Sequence, residues 1–319
     1  MRTLVTGGAG FIGSTLVDRL LAEGHSVDVV DDLSSGSLAN LADARASSHH
    51  DLTFHQVDVR SGELVELMAR RRPEVVFHLA AQADVRVSVE RPVFDAEVNI
   101  IGTLRVLEGA RSAGTTRVVF AASGGTLYGD VDASDLPVRE SHPQHPLSPY
   151  GVSKKSSIDY LAAYRELHSL EYCALALANV YGPRQDPHGE AGVVAIFASR
   201  LLAGEAVTIY GDGEQTRDFV FVDDVVDAFV RAMSRGGGLV LNIGTGHQVS
   251  VNQLAGVMSE RAGSGRAAVY APARSGELRA SALDPERAGI HLGWRPWTEL
   301  AQGVDTVLAH LSRSEAAGA

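Results

Sequence analysis

Residues 2–13 read RTLVTGGAGFIG, and they are the most informative part of the sequence about the fold. An apolar segment runs into a loop that contains G-x-G-x-x-G from Gly8 and G-x-x-G-x-x-G from Gly7. Residues without a Cβ atom let backbone N–H groups approach a pyrophosphate, and a helix beginning at the loop offers the positive end of its dipole. The stretch therefore predicts a strand, a helix and, between them, a phosphate-binding loop at Gly7, Gly10, Phe11, Ile12 and Gly13.

Apolar segments alternate with amphipathic segments through the first half of the chain. The apolar segments predict buried strands at Thr3–Thr6, Ser26–Asp31, Thr53–Val57, Val75–Leu79 and Arg117–Ala122. Apolar residues at helical spacing predict helices at Phe11–Glu23, Ser61–Arg71 and Val93–Gly114. This alternation is typical of βαβ units, so the predicted fold class is α/β, a Rossmann-type doubly wound parallel sheet.

The second half of the chain is less regular and predicts a smaller C-terminal α/β lobe. Loops rich in proline and glycine separate predicted strands near Ala174–Leu177, Val207–Ile209 and Leu239–Asn242. We expect residues 1–178 to form the dinucleotide-binding domain, with parts of 220–245 returning to it. Residues 179–312 are expected to be mainly a substrate-binding lobe, and residues 313–319 a frayed tail.

Composition argues against several classes of protein. A net charge of −11 argues against a broad nucleic-acid surface. No apolar run approaches the length of a membrane span, and Met1 leads directly into a strand-like segment rather than a secretion signal. The single cysteine, Cys173, excludes an internal disulfide and is expected to be a buried apolar residue, as in a reducing, cytoplasmic compartment. His49, His50 and His55 lack acidic or cysteine partners at suitable spacing, so no metal site is expected.

An acidic pair follows the second predicted strand. Asp31 and Asp32 stand about 20 residues after the glycine loop, where a carboxylate holds the ribose hydroxyls of an adenosine. Two carboxylates would repel a 2′-phosphate, and no arginine stands beside them in the sequence to receive one. The predicted cofactor is therefore NAD rather than NADP.

A tyrosine and a lysine stand four residues apart in Tyr150-Gly-Val-Ser-Lys154, on one face of a helix predicted to begin after Pro149. A tyrosine with its usual pKa near 10 is a poor base at neutral pH. A neighbouring ammonium and a positive nicotinamide ring both favour the phenolate, so we expect the pKa of Tyr150 to be lowered. The phenolate could then take a proton from a sugar hydroxyl while the carbon loses hydride to NAD.

With these motifs in place, nearly the whole chain resembles the extended short-chain dehydrogenase/reductase family. Within that family it is most similar to nucleotide-sugar epimerases of the UDP-glucose 4-epimerase type. The matching segments are Thr6–Gly13, Asp31–Gly36, Asp58-Val59, His78–Gln82, Asn99–Thr103, Ser123–Gly129, Tyr150–Lys154, Asn179–Arg184, Arg217–Asp224 and Leu292-Gly293-Trp294.

The resemblance implies a set of site residues at the matching positions. The NAD contacts that it implies are Gly7, Gly10, Phe11, Ile12, Gly13, Asp31, Asp32, Ser35, Gly36, Asp58, Val59, Leu79, Ala80, Ala81, Gln82, Asn99, Tyr150 and Lys154. The implied UDP-sugar contacts are Arg86, Ser123, Thr126, Tyr150, Asn179, Arg184, Val193, Val194, Arg217, Arg274 and Ser281. The implied catalytic residues are Tyr150, Lys154, Thr126 and Ser123.

One position departs from the family pattern. The family usually has Ser or Thr four residues before the tyrosine of its S-x-x-x-Y-G segment, and here that position is Gly124. Either Ser123 or Thr126 must then supply the hydroxyl that binds the sugar 4-hydroxyl, and Thr126 is slightly preferred.

The same segment favours one reaction among those of the family. Related dehydratases carry an Asp-Glu pair here and decarboxylases carry a Glu, whereas Gly125 and Thr126 offer no carboxylate. The expected reaction is therefore 4-epimerisation of a UDP-hexose, by hydride abstraction at C4, rotation of the 4-keto sugar and hydride return. The alternatives are a UDP-glucuronate or UDP-N-acetylglucosamine 4-epimerase, another dehydratase or reductase, and a non-catalytic NAD sensor.

Two positions bear on the sugar. In related uronate epimerases an arginine two residues after G-P-R helps to receive the C6 carboxylate, and here that position is Asp186. Seven residues after Arg274, members restricted to glucose and galactose tend to have tyrosine, whereas Ser281 leaves room for an N-acetyl group. Arg279 is expected to be a solvated surface residue.

Assembly is expected to use two helices. The segment from Val93 to Leu107 is apolar around much of its circumference, more than one buried stripe requires. The helix after Tyr150 adds four further residues, Ile158, Leu161, Ala162 and Tyr164. As in similar epimerases, we expect a homodimer with a four-helix interface.

Overall fold

The computed structural model describes residues 1–47, 51–187, 192–274 and 278–318, with side chains described as far as Arg313. The strands in these ranges are β1 (Arg2–Thr6), β2 (Ser26–Asp31), β3 (Leu52–Gln56), β4 (Val75–His78), β5 (Arg117–Ser123), β6 (Glu171–Leu177), β7 (Asn179–Tyr181), β8 (Thr208–Tyr210), β9 (Thr216–Arg217), β10 (Phe219–Phe221), β11 (Leu239–Ile243), β12 (Val249–Ser250) and β13 (Val269–Ala271). The α-helices are α1 (Phe11–Ala22), α2 (Ala42–Ser47), α3 (Glu63–Arg71), α4 (Val85–Glu90), α5 (Pro92–Ala96), α6 (Gly102–Ala113), α7 (Gly124–Leu127), α8 (Pro149–His168), α9 (Val193–Leu202), α10 (Val222–Ala232), α11 (Val251–Arg261), α12 (Glu286–Leu292) and α13 (Leu300–Gly318).

A seven-stranded parallel sheet lies at the centre, in the order β11-β6-β5-β4-β1-β2-β3. The chain builds outward from β1 through β2 and β3, then returns to the other side of β1 with β4. The carboxyl ends of β1 and β4 therefore form the crevice in which doubly wound sheets bind their ligands. The predicted fold class is confirmed, and the five strands predicted in the first half agree with the structure to within one residue at each end.

The second half of the chain adds one strand to the central sheet and forms further, smaller sheets outside it. Strand β11 adds to the sheet edge beside β6, and α10 packs against α1. Three two-stranded sheets, β10-β7, β12-β9 and β13-β8, lie outside the central sheet in the described residues. One hydrophobic cluster contains Val5 of β1 together with Phe197 of α9 and Val304 of α13, so the two halves share a core.

The carboxyl-terminal segment is anchored to α10 through polar contacts. The indole Nε1 of Trp294 donates to the backbone oxygen of Asp224 at 2.7 Å, and the carboxylate of Asp224 accepts from the amides of Trp297 and Thr298. Helix α13 then continues to Gly318, whereas the sequence suggested a frayed tail from residue 313.

The predicted helix at Val93–Gly114 is interrupted. Between α5 and α6, residues Glu97–Ile101 form a π turn, in which the backbone bonds run one residue further than in an α-helix. The backbone oxygen of Asn99 accepts side-chain bonds from Thr103 at 2.6 Å and Ser157 at 3.0 Å. One of these bonds comes from α8, so the π turn depends on a tertiary contact. The helical spacing of apolar residues in the sequence does not reveal such a contact.

No helix in the described ranges is long and apolar enough to cross a membrane. The described residues also contain no group of three or more His, Cys, Asp or Glu suited to a metal ion. His55 bonds Asp28 at 2.7 Å, while His49 and His50 lie outside the described residues. Cys173 is buried in β6, and burial raises the pKa of its thiol to about 12.

Candidate active site

The glycine loop fits beside β1 and β4 because its most crowded positions are glycines, which have no side chain. Gly7 has φ +70°, and a Cβ there would lie 2.7 Å from the amide nitrogen of Ala80. A Cβ at Gly13 would collide with the carbonyl oxygen of Gly7, so α1 packs directly on the loop. Gly10 precedes α1 and offers no side-chain cap, which leaves the helix start at Phe11 to an anionic ligand. This cradle fits a pyrophosphate.

Asp31 connects the end of β2 to the glycine loop. Its carboxylate accepts from the amides of Ala9 and Leu33, each at 2.9 Å. Burial raises the pKa of Asp31, although both bonds oppose that rise. A Cβ at Gly36 would lie 2.7 Å from Oδ1 of Asp31, so the chain passes close to this carboxylate. Each carboxylate oxygen accepts one of these bonds and keeps capacity for a ribose hydroxyl.

Asp32 and Ser35, the neighbours of Asp31 and Gly36, are exposed. The carboxylate of Asp32 accepts from the amide and the hydroxyl of Ser34, at 2.9 and 2.6 Å. Asp32 therefore shapes the turn after β2, and Asp31 is the acid that faces the loop.

The segment after β3 is held by an ion pair. Arg60 donates to both carboxylate oxygens of Asp58, with Nε at 3.0 and 2.9 Å, and this bonding lowers the pKa of Asp58. The next residue, Val59, is buried against Gly102, where an added Cβ would lie 2.9 Å from Val59 Cγ2. Asp58 and Val59 are thus fixed beside the carboxyl ends of the strands.

The segment after β4 is fixed from both sides. The amides of Leu79 and Ala80 donate to the backbone oxygen and hydroxyl of Thr6, at 3.1 and 3.3 Å. Two residues later, Gln82 and Asn99 exchange bonds: the Gln82 amide donates to Asn99 Oδ1 at 3.0 Å, and Asn99 Nδ2 donates to the Gln82 carbonyl at 2.9 Å. The π turn therefore presents Asn99 to the loop that carries Gln82.

Asp95 is a site residue that the sequence reasoning missed. Its buried carboxylate accepts from Gln82, Asn99 and Ser153, and so connects the β4 loop to the helix that carries Lys154. A signal was present, because Asp95 stands four residues before Asn99, one helical turn away on the same segment. Its partners, however, come from three separate parts of the chain.

Tyr150 and Lys154 project from the first turns of α8, as predicted. The helix begins at Pro149, with the hydroxyl of Ser148 accepting from the Gly151 amide at 3.2 Å. Lys154 is 3% exposed, and its ammonium donates to the backbone oxygen of Ala121 at 2.9 Å and lies 5.7 Å from the centre of the Tyr150 ring.

The pKa values of this pair differ from the expectation. Burial raises the pKa of Tyr150 to about 12, opposed by a hydrogen bond with the Ser123 side chain and assisted by the charge of Asp95. Burial also lowers the pKa of Lys154 to about 8, and the charge of Asp95 opposes this lowering. The predicted lowering of the Tyr150 pKa is therefore not found in the protein alone, because desolvation outweighs the bond from Ser123.

The hydroxyl beside Tyr150 belongs to Ser123. The Thr126 hydroxyl lies 3.4 Å from the backbone oxygen of Ser123, one turn earlier. A Cβ at Gly124 would collide with the buried side chain of Leu283, which explains why the usual serine or threonine does not occupy that position. A Cβ at Gly125 would have no neighbour within 4 Å, so the missing carboxylate there is a property of the sequence and not of crowding.

Three predicted substrate residues, Asn179, Arg217 and Ser281, lie close together in the second lobe, and Arg274 lies on a separate ring. The amide of Ser281 donates to the backbone oxygen of Thr216 at 3.2 Å, which sets Ser281 beside Arg217. The half-buried Arg217 donates from Nη1 to the backbone oxygen of Thr216 at 2.7 Å, and Asn179 begins β7. Arg274 stacks on the ring of Tyr210, with 4.0 Å between the guanidinium carbon and the ring centre.

The structure places Arg184 in a different environment. Its guanidinium pairs with Asp18 of α1 at 2.7 Å and lies 4.0 Å from Asp43. It lines a cavity of about 450 Å³ with Asp18, His310 and Arg313, and none of the residues around Tyr150 lines that cavity. Arg184 therefore stabilises the outer face of α1.

Three further predicted residues occupy ordinary structural positions. Val194 is 1% exposed and packs in the core, so only its backbone at the start of α9 could meet a ligand. Arg86 is exposed in the first turn of α4. Arg279 pairs with Asp212 at 2.8 Å on the surface, as expected of a solvated residue.

Comparison with known proteins identifies relatives along nearly the whole chain. The sequence pattern of the NAD dependent epimerase/dehydratase family matches residues 3–244. The UDP-glucose 4-epimerase of Mycolicibacterium smegmatis is 52% identical over 305 residues, which cover 95% of this chain and 96% of that protein.

Two solved structures are similar in both sequence and fold. The UDP-glucose 4-epimerase of Thermotoga maritima, crystallised with UDP-glucose, has a TM-score of 0.94 and 45% identity, covering 99% of this chain and 100% of that one. The UDP-glucose 4-epimerase of Thermus thermophilus, in complex with NAD, has a TM-score of 0.89 and 42% identity, covering 98% of this chain and 99% of that one.

Proposed function

The chain belongs to the NAD dependent epimerase/dehydratase family, and on that basis we propose that it interconverts UDP-glucose and UDP-galactose by NAD-dependent epimerisation at C4. The observation that carries this proposal is the grouping of Tyr150, Lys154 and Ser123 at the carboxyl end of β5, with no carboxylate at positions 125 and 126. Elimination of water needs a further acid or base at that segment, whereas epimerisation does not.

Tyr150 is the base that takes the proton of the sugar 4-hydroxyl and later returns it. Ser123 bonds the phenol and relays the proton, and the Lys154 ammonium stabilises the phenolate. When bound, NAD supplies the reversible acceptance of a hydride from C4, so rotation of the 4-keto sugar before hydride return inverts that carbon. Because burial raises the pKa of Tyr150, the phenolate also requires the positive charge of the oxidised nicotinamide.

The cofactor cradle is the loop at Gly7, Gly10 and Gly13, with Asp31 for the adenosine ribose. Asp58 and Val59 flank the adenine, and the segment from Leu79 to Gln82 lines the path to the nicotinamide. An ionised Asp31 beside the ribose excludes a 2′-phosphate, which selects NAD over NADP.

The UDP moiety is held by the second lobe. Arg217 and Arg274 carry the positive charge for the diphosphate, and guanidinium groups suit it because they can bind two phosphate oxygens at once. Asn179 and the backbone at Val193 and Val194 complete the uridine side. We assign Arg184 a structural role, since its charge is already matched by Asp18.

Ser281 and Asp186 set the range of sugars. Ser281 lies beside Arg217 and leaves volume at C2, so UDP-N-acetylglucosamine is a second substrate. Asp186 is exposed and places a negative charge where related uronate epimerases have an arginine, so UDP-glucuronate is a poor substrate.

We further propose a homodimer built on helices next to the site. Ile158 and Leu161, which the sequence assigned to the interface, are buried in the protomer core. The exposed apolar side chains on α4, α5, the π turn and α8 are Val85, Val89, Val93, Ile101, Val152, Tyr160 and Leu167. Val93 is 71% exposed, and a second copy of the chain would cover it. We also propose that the enzyme acts in the cytoplasm, because a chain with the single cysteine Cys173 suits a reducing compartment.

The proposal is tested by incubating the enzyme separately with UDP-glucose, UDP-N-acetylglucosamine and UDP-glucuronate, with no NAD beyond what copurifies, and following the products by NMR. UDP-galactose should form from UDP-glucose, and the N-acetyl sugar should also be epimerised. Tyr150→Phe is the matched control, and it should lower turnover by about a hundredfold or more while UDP binding survives. Epimerisation of UDP-glucuronate with inert UDP-glucose would overturn the assignment.

A further inference from the structure

The carboxylate of Asp95 is fully buried, with a side chain that is 0% exposed. Its Oδ1 accepts from Gln82 Nε2 at 3.0 Å and from Asn99 Nδ2 at 2.9 Å, and its Oδ2 accepts from Ser153 Oγ at 2.6 Å. Three bonds from neutral donors satisfy the oxygens without neutralising the charge. A cation close to a buried carboxylate of this kind stabilises its charge further.

Lys154 is that cation. It follows Ser153 on α8, is also buried, and is influenced by the charge of Asp95. The other titratable groups near Lys154 are Tyr150 on α8 itself and His78 on β4. The imidazole of His78 lies between the hydroxyls of Thr6 and Thr103, and burial lowers its pKa to about 3, so it carries no charge at neutral pH.

Other ionisable groups on the packed helices lie further away or face solvent. Glu108 of α6 bonds Tyr164 near the far end of α8. Glu97 in the π turn is exposed and lies 3.9 Å from Arg60. Asp95 is therefore the anion that acts on both Tyr150 and Lys154 among the described residues.

We propose that Asp95 is a positioning residue, which holds Lys154 in its protonated form and fixes Gln82, Asn99 and Ser153 around the reacting end of the site. This inference rests on the proposed roles of Tyr150 and Lys154. The one buried carboxylate would then do two things: it fixes the loop that carries Gln82, and it keeps the lysine charged.

The direction of the effect follows from the charge. A negative group favours the ammonium, so removing the Asp95 charge lowers the pKa of Lys154. The same negative group disfavours the phenolate, so removing it also lowers the pKa of Tyr150. Activity needs the phenolate and the ammonium together, so both the acid and the alkaline limb of the activity profile move to lower pH.

Asp95→Asn is a variant that changes charge with little change of shape. The amide oxygen can still accept from Gln82 and Asn99, and the amide nitrogen can donate to the Ser153 hydroxyl. The matched control is Glu97→Gln, which removes an equal charge from an exposed position two residues away.

The chain itself makes a direct readout possible, because it contains two lysines, Lys154 and Lys155. In holoenzyme labelled with ¹³C-lysine, two titrating side-chain signals are expected, and Lys155→Arg assigns them. Asp95→Asn should lower the titration midpoint of Lys154 by about one pH unit and leave unchanged that of Lys155, which is half-buried and pairs with Asp159. The activity profile with UDP-glucose should shift to lower pH in parallel, whereas Glu97→Gln should alter neither.

An unchanged Lys154 midpoint in folded Asp95→Asn protein would overturn the inference. If that variant does not fold, Asp95→Glu and Asp95→Gln provide a second pair, whose side chains have the same length and differ in charge. Equal Lys154 midpoints in these two variants would also overturn the inference. Failure of the proposed function is distinguishable, because the wild-type enzyme would then be inactive with UDP-glucose while its lysines still titrate.

Discussion

The side chain of Ser123, at the end of β5, hydrogen-bonds the phenol of Tyr150, in the first turn of α8. Two elements distant in sequence thus meet at the carboxyl end of the sheet. The bond lowers the pKa of Tyr150, in opposition to the larger effect of burial. A Cβ at Gly124 would collide with Leu283, and Ser123 is the residue proposed to supply the hydroxyl that the family usually has one residue later.

Ser123→Ala should lower kcat by about a hundredfold, because it removes the proton relay and the bond that supports the phenolate. Thr126→Val is the matched control, since its hydroxyl lies against the backbone oxygen of Ser123, and it should stay close to wild type. Steady-state kinetics with UDP-glucose measure both. A large loss for Thr126→Val with none for Ser123→Ala would show that the sequence preference for Thr126 was right.

Arg217→Ala should weaken UDP binding by about tenfold or more, because it removes a charge proposed to contact the diphosphate. Arg184→Ala should leave UDP affinity unchanged and lower the melting temperature, because Arg184 is paired with Asp18. Calorimetric titration with UDP and thermal unfolding separate the two effects. Equal losses of UDP affinity in both variants would show that Arg184 also contributes to UDP binding.

Ser281→Tyr should suppress epimerisation of UDP-N-acetylglucosamine and spare that of UDP-glucose, because the ring removes space at C2. Ser281→Ala keeps the space and should retain both activities. The ratio of kcat/KM for the two sugars is the quantity to measure. An unchanged ratio in the tyrosine variant would mean that the N-acetyl group lies elsewhere.

Val93→Glu should convert the proposed dimer to a monomer, because a charge at the centre of an apolar interface is desolvated without a partner. Ile290→Glu is the control, since Ile290 is also 71% exposed but lies on α12, outside the proposed interface. Light scattering compares both with the 33.7 kDa chain mass. A wild-type protein that is already monomeric at micromolar concentration would contradict the dimer.

The parts of the molecule that the sequence predicted well depend on local chain geometry. The glycine loop, Asp31 at the end of β2 and the Tyr150–Lys154 pair each follow from a spacing within one strand, turn or helix. The parallel, doubly wound character of the sheet also followed, because strands that alternate with helices are typical of βαβ units.

The parts that the sequence could not predict depend on contacts between distant segments. The π turn is held by Ser157 of α8, Gly124 is constrained by Leu283, and Arg184 finds its counter-charge on α1. The pKa of Tyr150 shows the same dependence, since the neighbouring lysine was visible in the sequence and the extent of burial was not.

The central claim is that the hydrogen at C4 leaves as hydride and returns to the same carbon. It is tested most directly with UDP-glucose deuterated at C4, incubated with the enzyme in ordinary water and analysed by NMR. We predict UDP-galactose that keeps its deuterium at C4, because the hydride never exchanges with solvent. UDP-galactose carrying solvent hydrogen at C4 would contradict the mechanism, and the absence of any C4 epimer would contradict the function.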